Sequence, residues 1–153
     1  MTNEAITKND PAIEVLNDLI QINNDRIEGY DNAIENLKDS DIDLQTVFNR
    51  LKANSVKNIQ ELNAKVNELG GEPVTDTTLL GKIYRGWMDV KSAFTGHDRD
   101  GIINDCQGGE KAAQEAYDKA LKDDGNLTME TRVLLISQQT GLLADKQAVD
   151  NFN

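Results

Sequence analysis

Glu110 falls on the apolar seam of a helix. The series Ile103, Cys106, Glu110, Ala113, Tyr117, Ala120 steps by 3, 4, 3, 4 and 3 residues, the period of a helix packed in a bundle. Every other member is apolar or amphipathic. A carboxylate on such a seam needs a partner, a proton or a metal ion, because an uncompensated buried charge costs about 3–5 kcal/mol. Two more carboxylates, Glu28 and Glu61, stand at heights from which they could turn inward beside Glu110. Three oxygen donors without imidazole suit a hard divalent cation better than a redox iron pair. Glu28 flanks the seam residue Ile27 and Glu61 flanks Leu62, so both read first as groove or solvent positions.

No other residue set points to catalysis. The single cysteine, Cys106, shares the seam with Glu110 and reads as a small buried hydrophobe rather than a nucleophile. The single histidine, His97, sits in a Thr-Gly-His-Asp turn, with no serine or cysteine placed for nucleophilic work. The run His97-Asp98-Arg99-Asp100-Gly101 glances at a calcium loop. With Gly101 as the sixth position, however, the first would be Gly96 and the twelfth Gln107, neither of them a carboxylate.

The elements that must position Glu110 are helices. Asn9-Asp10-Pro11 opens the first, over about 11–38, with the stripe Ile13, Leu16, Ile20, Asn23, Ile27, Tyr30, Ile34, Leu37. Asp39-Ser40-Asp41 breaks the chain and caps the second, over 42–69. Its stripe is Leu44, Phe48, Leu51, Ser55, Ile59 with Asn58 beside it, Leu62, Val66 and Leu69, and it stops at Gly70-Gly71 with Pro73 beyond. A connector of residues 72–97 carries Leu80, Ile83, Tyr84, Trp87, Met88 and Phe94, which predicts a short amphipathic helix over 78–94 lying across the bundle. The third helix spans 98–122. Thr128 caps the fourth, over 129–151, with the stripe Leu135, Gln138, Leu142, Asp145, Val149, Phe152, broadened by Leu134, Ile136 and Leu143. Two antiparallel helical hairpins joined by a long crossover make a single all-α domain over 1–153, on the ferritin-like four-helix-bundle plan.

The polar interruptions share a height. The midpoints of the four long helices fall near residues 24, 56, 110 and 140, which places Asn23, Ser55, Asn58, Glu110 and Gln138 in one layer to within about a turn, ~5.4 Å. One reading of that layer is a hydrogen-bonded set in which Glu110, ionised or protonated, accepts from Asn23, Asn58 and Gln138, fixing the register of the bundle. Tyr30 and Tyr117 lie on seams from which their hydroxyls could reach it. Gly29, Gly108-Gly109 and Gly141 collect at the same level, as close helix approach or as room for something small.

Composition sets the limits on partners. The net charge of −11, from 16 basic and 27 acidic residues, argues against nucleic acid and against an anionic membrane surface. No stretch approaches the ~18 apolar residues of a membrane span, and the polar opening MTNEAITKND has no secretory core. With one cysteine, the expectation is a reducing cytoplasm.

Several separated runs carry a resemblance: Leu16-Asn17-Asp18-Leu19-Ile20, Asn23 through Tyr30, Glu61-Leu62, Leu69-Gly70-Gly71-Glu72-Pro73, Trp87-Met88-Asp89 with Lys91, Thr95-Gly96, then Cys106 and Gly109-Glu110. Over about residues 10–120 the chain resembles a bacterial family of ferritin-like four-helix-bundle proteins classed as a domain of unknown function. The resemblance implies a homo-oligomer, dimer or larger, and a link to stress responses, with no established reaction. Relatives often show a Glu and a His in the fourth helix, where Leu142 and Gln147 stand here. No helix has the Glu-x-x-His of ferritin-like metal centres. The expectation is a non-catalytic protein without a cofactor, acting through self-association or a protein partner. The alternative is a divergent metal protein using Glu28, Glu61 and Glu110.

Overall fold

The computed structural model describes residues 10–74, 98–122 and 125–152, so the amphipathic helix expected over 78–94 lies outside the described residues. Among those described there are four helices and no strand: α1 Pro11–Glu35, α2 Ile42–Glu68, α3 Arg99–Leu121 and α4 Met129–Asp150. None of them is long and apolar enough to cross a membrane.

Local chemistry sets most of the helix ends. Asp10 accepts the Ala12 N–H at 2.8 Å ahead of Pro11, whose missing N–H costs nothing in the first turn. Asp98 accepts from the Gly101 N–H at 2.9 Å, and Thr128 from the Thr131 N–H at 3.2 Å. Asp41 stands at the N-cap position of α2 but does not cap it with its side chain. Its carboxylate instead takes the Lys38 N–H at 3.1 Å and the Arg99 guanidinium at 2.8 Å. α2 ends in a Schellman turn. Gly70 has φ 85°, Gly70 N–H bonds the Asn67 carbonyl, and Gly71 N–H bonds the Val66 carbonyl, each at 3.0 Å.

Side-chain contacts give the directions. Tyr30 and Asn23 of α1 meet Glu110 and Tyr117 of α3, so these two helices are antiparallel. Asn54 and Lys65 of α2 meet Asp145 and Glu130 of α4, again antiparallel. Arg99 at the start of α3 forks onto Asp41 and Asp43 at the start of α2, so α2 and α3 run parallel. α1 packs most extensively on α2 and α3 on α4, while α2 and α4 make the slightest of the four side contacts.

The core holds Leu16, Ile20, Tyr30, Phe48, Leu51, Leu62, Ile103, Cys106, Leu135 and Leu142, all essentially inaccessible. Two sequence expectations need correcting. Periodicity puts Ile27 on the α1 seam, but Arg26 is the buried residue and Ile27 only half-buried. Steps of 3 then 4 from Asn23 to Tyr30 fit as well as 4 then 3, and the apolar residue was the wrong one of the two. Ile136 and Leu143 do not broaden the core stripe of α4: they are 49% and 48% exposed.

The Gly70 turn has a measurable consequence. A side chain at φ 85° is strained, so Gly70→Ala should cost about 1 kcal/mol in urea unfolding without changing the fold. A variant as stable as the parent would show that α2 does not end in this turn.

Candidate functional site

The bundle centre is an ion network. Arg26, from α1, has no accessible surface. Its Nη2 donates to Glu110 Oε2 on α3 at 2.6 Å and to Asp145 Oδ2 on α4 at 3.3 Å, and its Nη1 donates to Ser55 Oγ on α2. One guanidinium therefore touches all three of the other helices. Tyr30 donates its hydroxyl to the same Glu110 oxygen. Its ring packs on Phe48, with centroids 5.2 Å apart, and under the Arg26 guanidinium at 5.6 Å. Asn54 Nδ2 donates to the other Asp145 oxygen at 3.0 Å.

A neutral tier adjoins the charged one through Ser55. Its hydroxyl donates to Asn23 Oδ1 at 2.9 Å, and Asn58 Nδ2 donates to the same oxygen at 3.2 Å. Asn23 Nδ2 donates to the Leu19 carbonyl and to the Tyr117 hydroxyl. Tyr117 donates onward to Gln138 Oε1 at 2.7 Å, and Gln138 Nε2 reaches the Asn58 carbonyl and Glu61 Oε1 at 2.9 Å. The hydrogen-bond chain thus runs unbroken from Asp145 through all four helices to Glu61.

The structure buries Asn23, Ser55, Asn58, Glu110 and Gln138 together, but the pairing differs from the sequence expectation. Glu110 bonds to Arg26 and Tyr30 rather than to Asn23, Asn58 and Gln138, which satisfy one another a turn away. A carboxylate takes the strongest donors in reach, and a guanidinium outranks a carboxamide. The sequence pattern leaves Arg26 and Asn54 out of the layer and puts Asp145 on the seam but outside the layer. The signal was present: Glu110 and Asp145 are two acids on facing seams, and such a pair calls for a cation.

Glu28, Glu61 and Glu110 are not brought together. Glu28 is exposed, Glu61 half-buried at the edge, and Glu110 deep in the core. Among the described residues, no group of three or more His, Cys, Asp or Glu side chains is arranged to hold a metal ion. Of the clustered glycines, Gly29 and Gly109 are buried and Gly108 is exposed. Gly141 opens on a cleft of about 270 Å³ between α2 and α4, whose floor includes Asn58, Gln138 and Asp145.

Burial alone would lower the Arg26 pKa, but Glu110, Tyr30 and Asp145 outweigh it and raise it above the ordinary arginine range. Burial, then the Glu110 charge, pushes the Tyr30 phenol well up; the same two causes push up the Cys106 thiol. Burial also raises Tyr117. Cys106 is therefore an inert thiol at neutral pH.

Over the described residues the fold and its centre define a class: four helices, without a strand, organised around a buried arginine–carboxylate network. The chain belongs to the family described as a domain of unknown function (DUF2383), which matches residues 11–123, most of its length. No curated protein matches it.

Two measurements follow. Arg26→Met leaves Glu110 and Asp145 facing each other without a cation and should cost about 3–5 kcal/mol in urea unfolding. Adding Glu110→Leu should cost less than its own single effect, by about 0.5–3 kcal/mol of coupling; additive losses would contradict a direct pair. At high pH the folded chain keeps protons on Tyr30, Tyr117 and Cys106 that the unfolded chain releases. Their raised values contribute stability that is complete at neutral pH and falls as pH rises from about 9. The phenolate absorbance of Tyr30 and Tyr117 should then appear together with loss of helix signal. Normal titration of all three tyrosines of the chain with the helices intact would contradict the burial of Tyr30 and Tyr117.

Proposed function

We propose that this protein is a non-catalytic, ferritin-like bundle of the cytoplasm that works by association, with itself or with a protein partner, in a stress-related process. The observation that carries this reading is Arg26. In the ferritin-like plan the mid-bundle layer is where metal ions are held by carboxylates and histidines. Here a guanidinium lies between two buried carboxylates, 2.6 and 3.3 Å from their oxygens, with hydroxyl and carboxamide groups around it. These residues do not fit a metal centre, because a permanent cation already fills the position between the acids and would repel a second one. Up–down–down–up helix directions support the ferritin-like plan. Inert Cys106, with the Tyr30 and Tyr117 hydroxyls held in hydrogen bonds, supplies no activated nucleophile at the centre.

The competing reading, a divergent metal protein using Glu28, Glu61 and Glu110, is separated by metal analysis. Untagged protein purified without chelator, and again after anaerobic Fe(II) or Mn(II) loading, should hold far less than one ion per chain by mass spectrometry. One or two ions per chain, lost in Glu110→Ala, would replace the proposal with the metal-binding reading.

A further inference from the structure

α4 has two apolar faces. One is the core seam of Leu135, Leu142 and Val149. The other consists of Met129, Val133, Ile136 and Leu143, which are 74%, 58%, 49% and 48% exposed. Ile136 lies two residues, about 200° of helix rotation, from the buried Gln138, so this second face points away from the bundle. It runs ~21 Å along the helix axis from Met129 to Leu143.

The chemistry of this face selects its occupant. Residues 133–144 contain no charged side chain, twelve in a row in a chain that is 28% charged with a net charge of −11. Around it, Glu130 is held by Lys65 and Lys146 by Asp150. A basic partner would be drawn to the acidic remainder of the surface. A second copy, carrying the same −11, meets least repulsion where neither surface has charge. The stripe is also self-complementary. Met129 and Leu143 stand seven residues on either side of Ile136. An antiparallel two-fold through Ile136 sets Met129 of each copy on Leu143 of the other, and Ile136 on Ile136.

We infer that the outer face of α4 is the surface through which two copies of this chain pair, antiparallel and centred on Ile136. The inference rests on the self-association reading above and gives that reading its surface. A face one helix wide falls short of the ~800 Å² per partner of a standard interface, so the dimer is weak and concentration-dependent.

Sedimentation of the full chain from low micromolar to near-millimolar concentration tests this. The expected result is a reversible dimer that tightens as salt screens the like charges, and that weakens about tenfold or more in Ile136→Glu and in Leu143→Glu. Both sites are exposed, so helix content and melting temperature should hold. Should either variant lose helix, Ile136→Cys replaces it: mild oxidation should cross-link Ile136→Cys and leave Ala53→Cys, on the outside of α2, uncrosslinked. A dimer that ignores the charge substitutions, or equal cross-linking at both cysteines, overturns the surface and leaves self-association standing. A monomer at every concentration overturns both.

Discussion

The guanidinium of Arg26, held between Glu110 and Asp145, is the interaction on which the rest of this structure depends. Removing an arginine and two carboxylates from water costs several kcal/mol per ion, and their mutual attraction offsets this only when the geometry is good and the remaining donors are used. Ser55, Tyr30 and Asn54 supply most of that geometry, while Arg26 Nε and Glu110 Oε1 stay without a hydrogen bond. An apolar core at the same place could be equally stable. What the ions add is direction: a guanidinium from α1 must find acids on α3 and α4 and a hydroxyl on α2, and a slip of one turn in α1, α3 or α4 strands a charge.

The periphery is consistent with that register. Arg99 forks onto Asp41 and Asp43 at one end of the bundle, and Lys65 reaches Glu130 at the other. In water such pairs contribute at most about 1 kcal/mol each, so they follow the register more than they set it. Asn17 ties α1 to residues 72–74 beyond α2, donating to the Glu72 carbonyl and accepting the Val74 N–H. The slight contact between α2 and α4 is where the packing is open, at the Gly141 cleft.

Helix positions were legible because their signals are local. Asp10-Pro11, Gly70-Gly71 and Thr128 act through their own backbone, and 3-4 spacing survives without knowledge of neighbours. Glu110 was legible as an anomaly for the same reason. Its partners were not, because pairing depends on which side chains of other helices reach it. Periodicity chose Ile27 over Arg26, since hydropathy treats a guanidinium as a surface group until two acids are placed opposite it. Ile136 and Leu143 were misread in reverse: apolar residues near a seam were assigned to the core although they face out.

Arg26 is the resident cation of the buried network. Nitrogen-15 NMR of arginine-labelled protein tests it most directly, since the sequence has five arginines. One guanidinium should show distinct, slowly exchanging Nη–H signals at neutral pH, absent in Arg26→Lys. Five arginines exchanging at solvent rates would contradict it, and would place Arg26 in water and Glu110 with another partner.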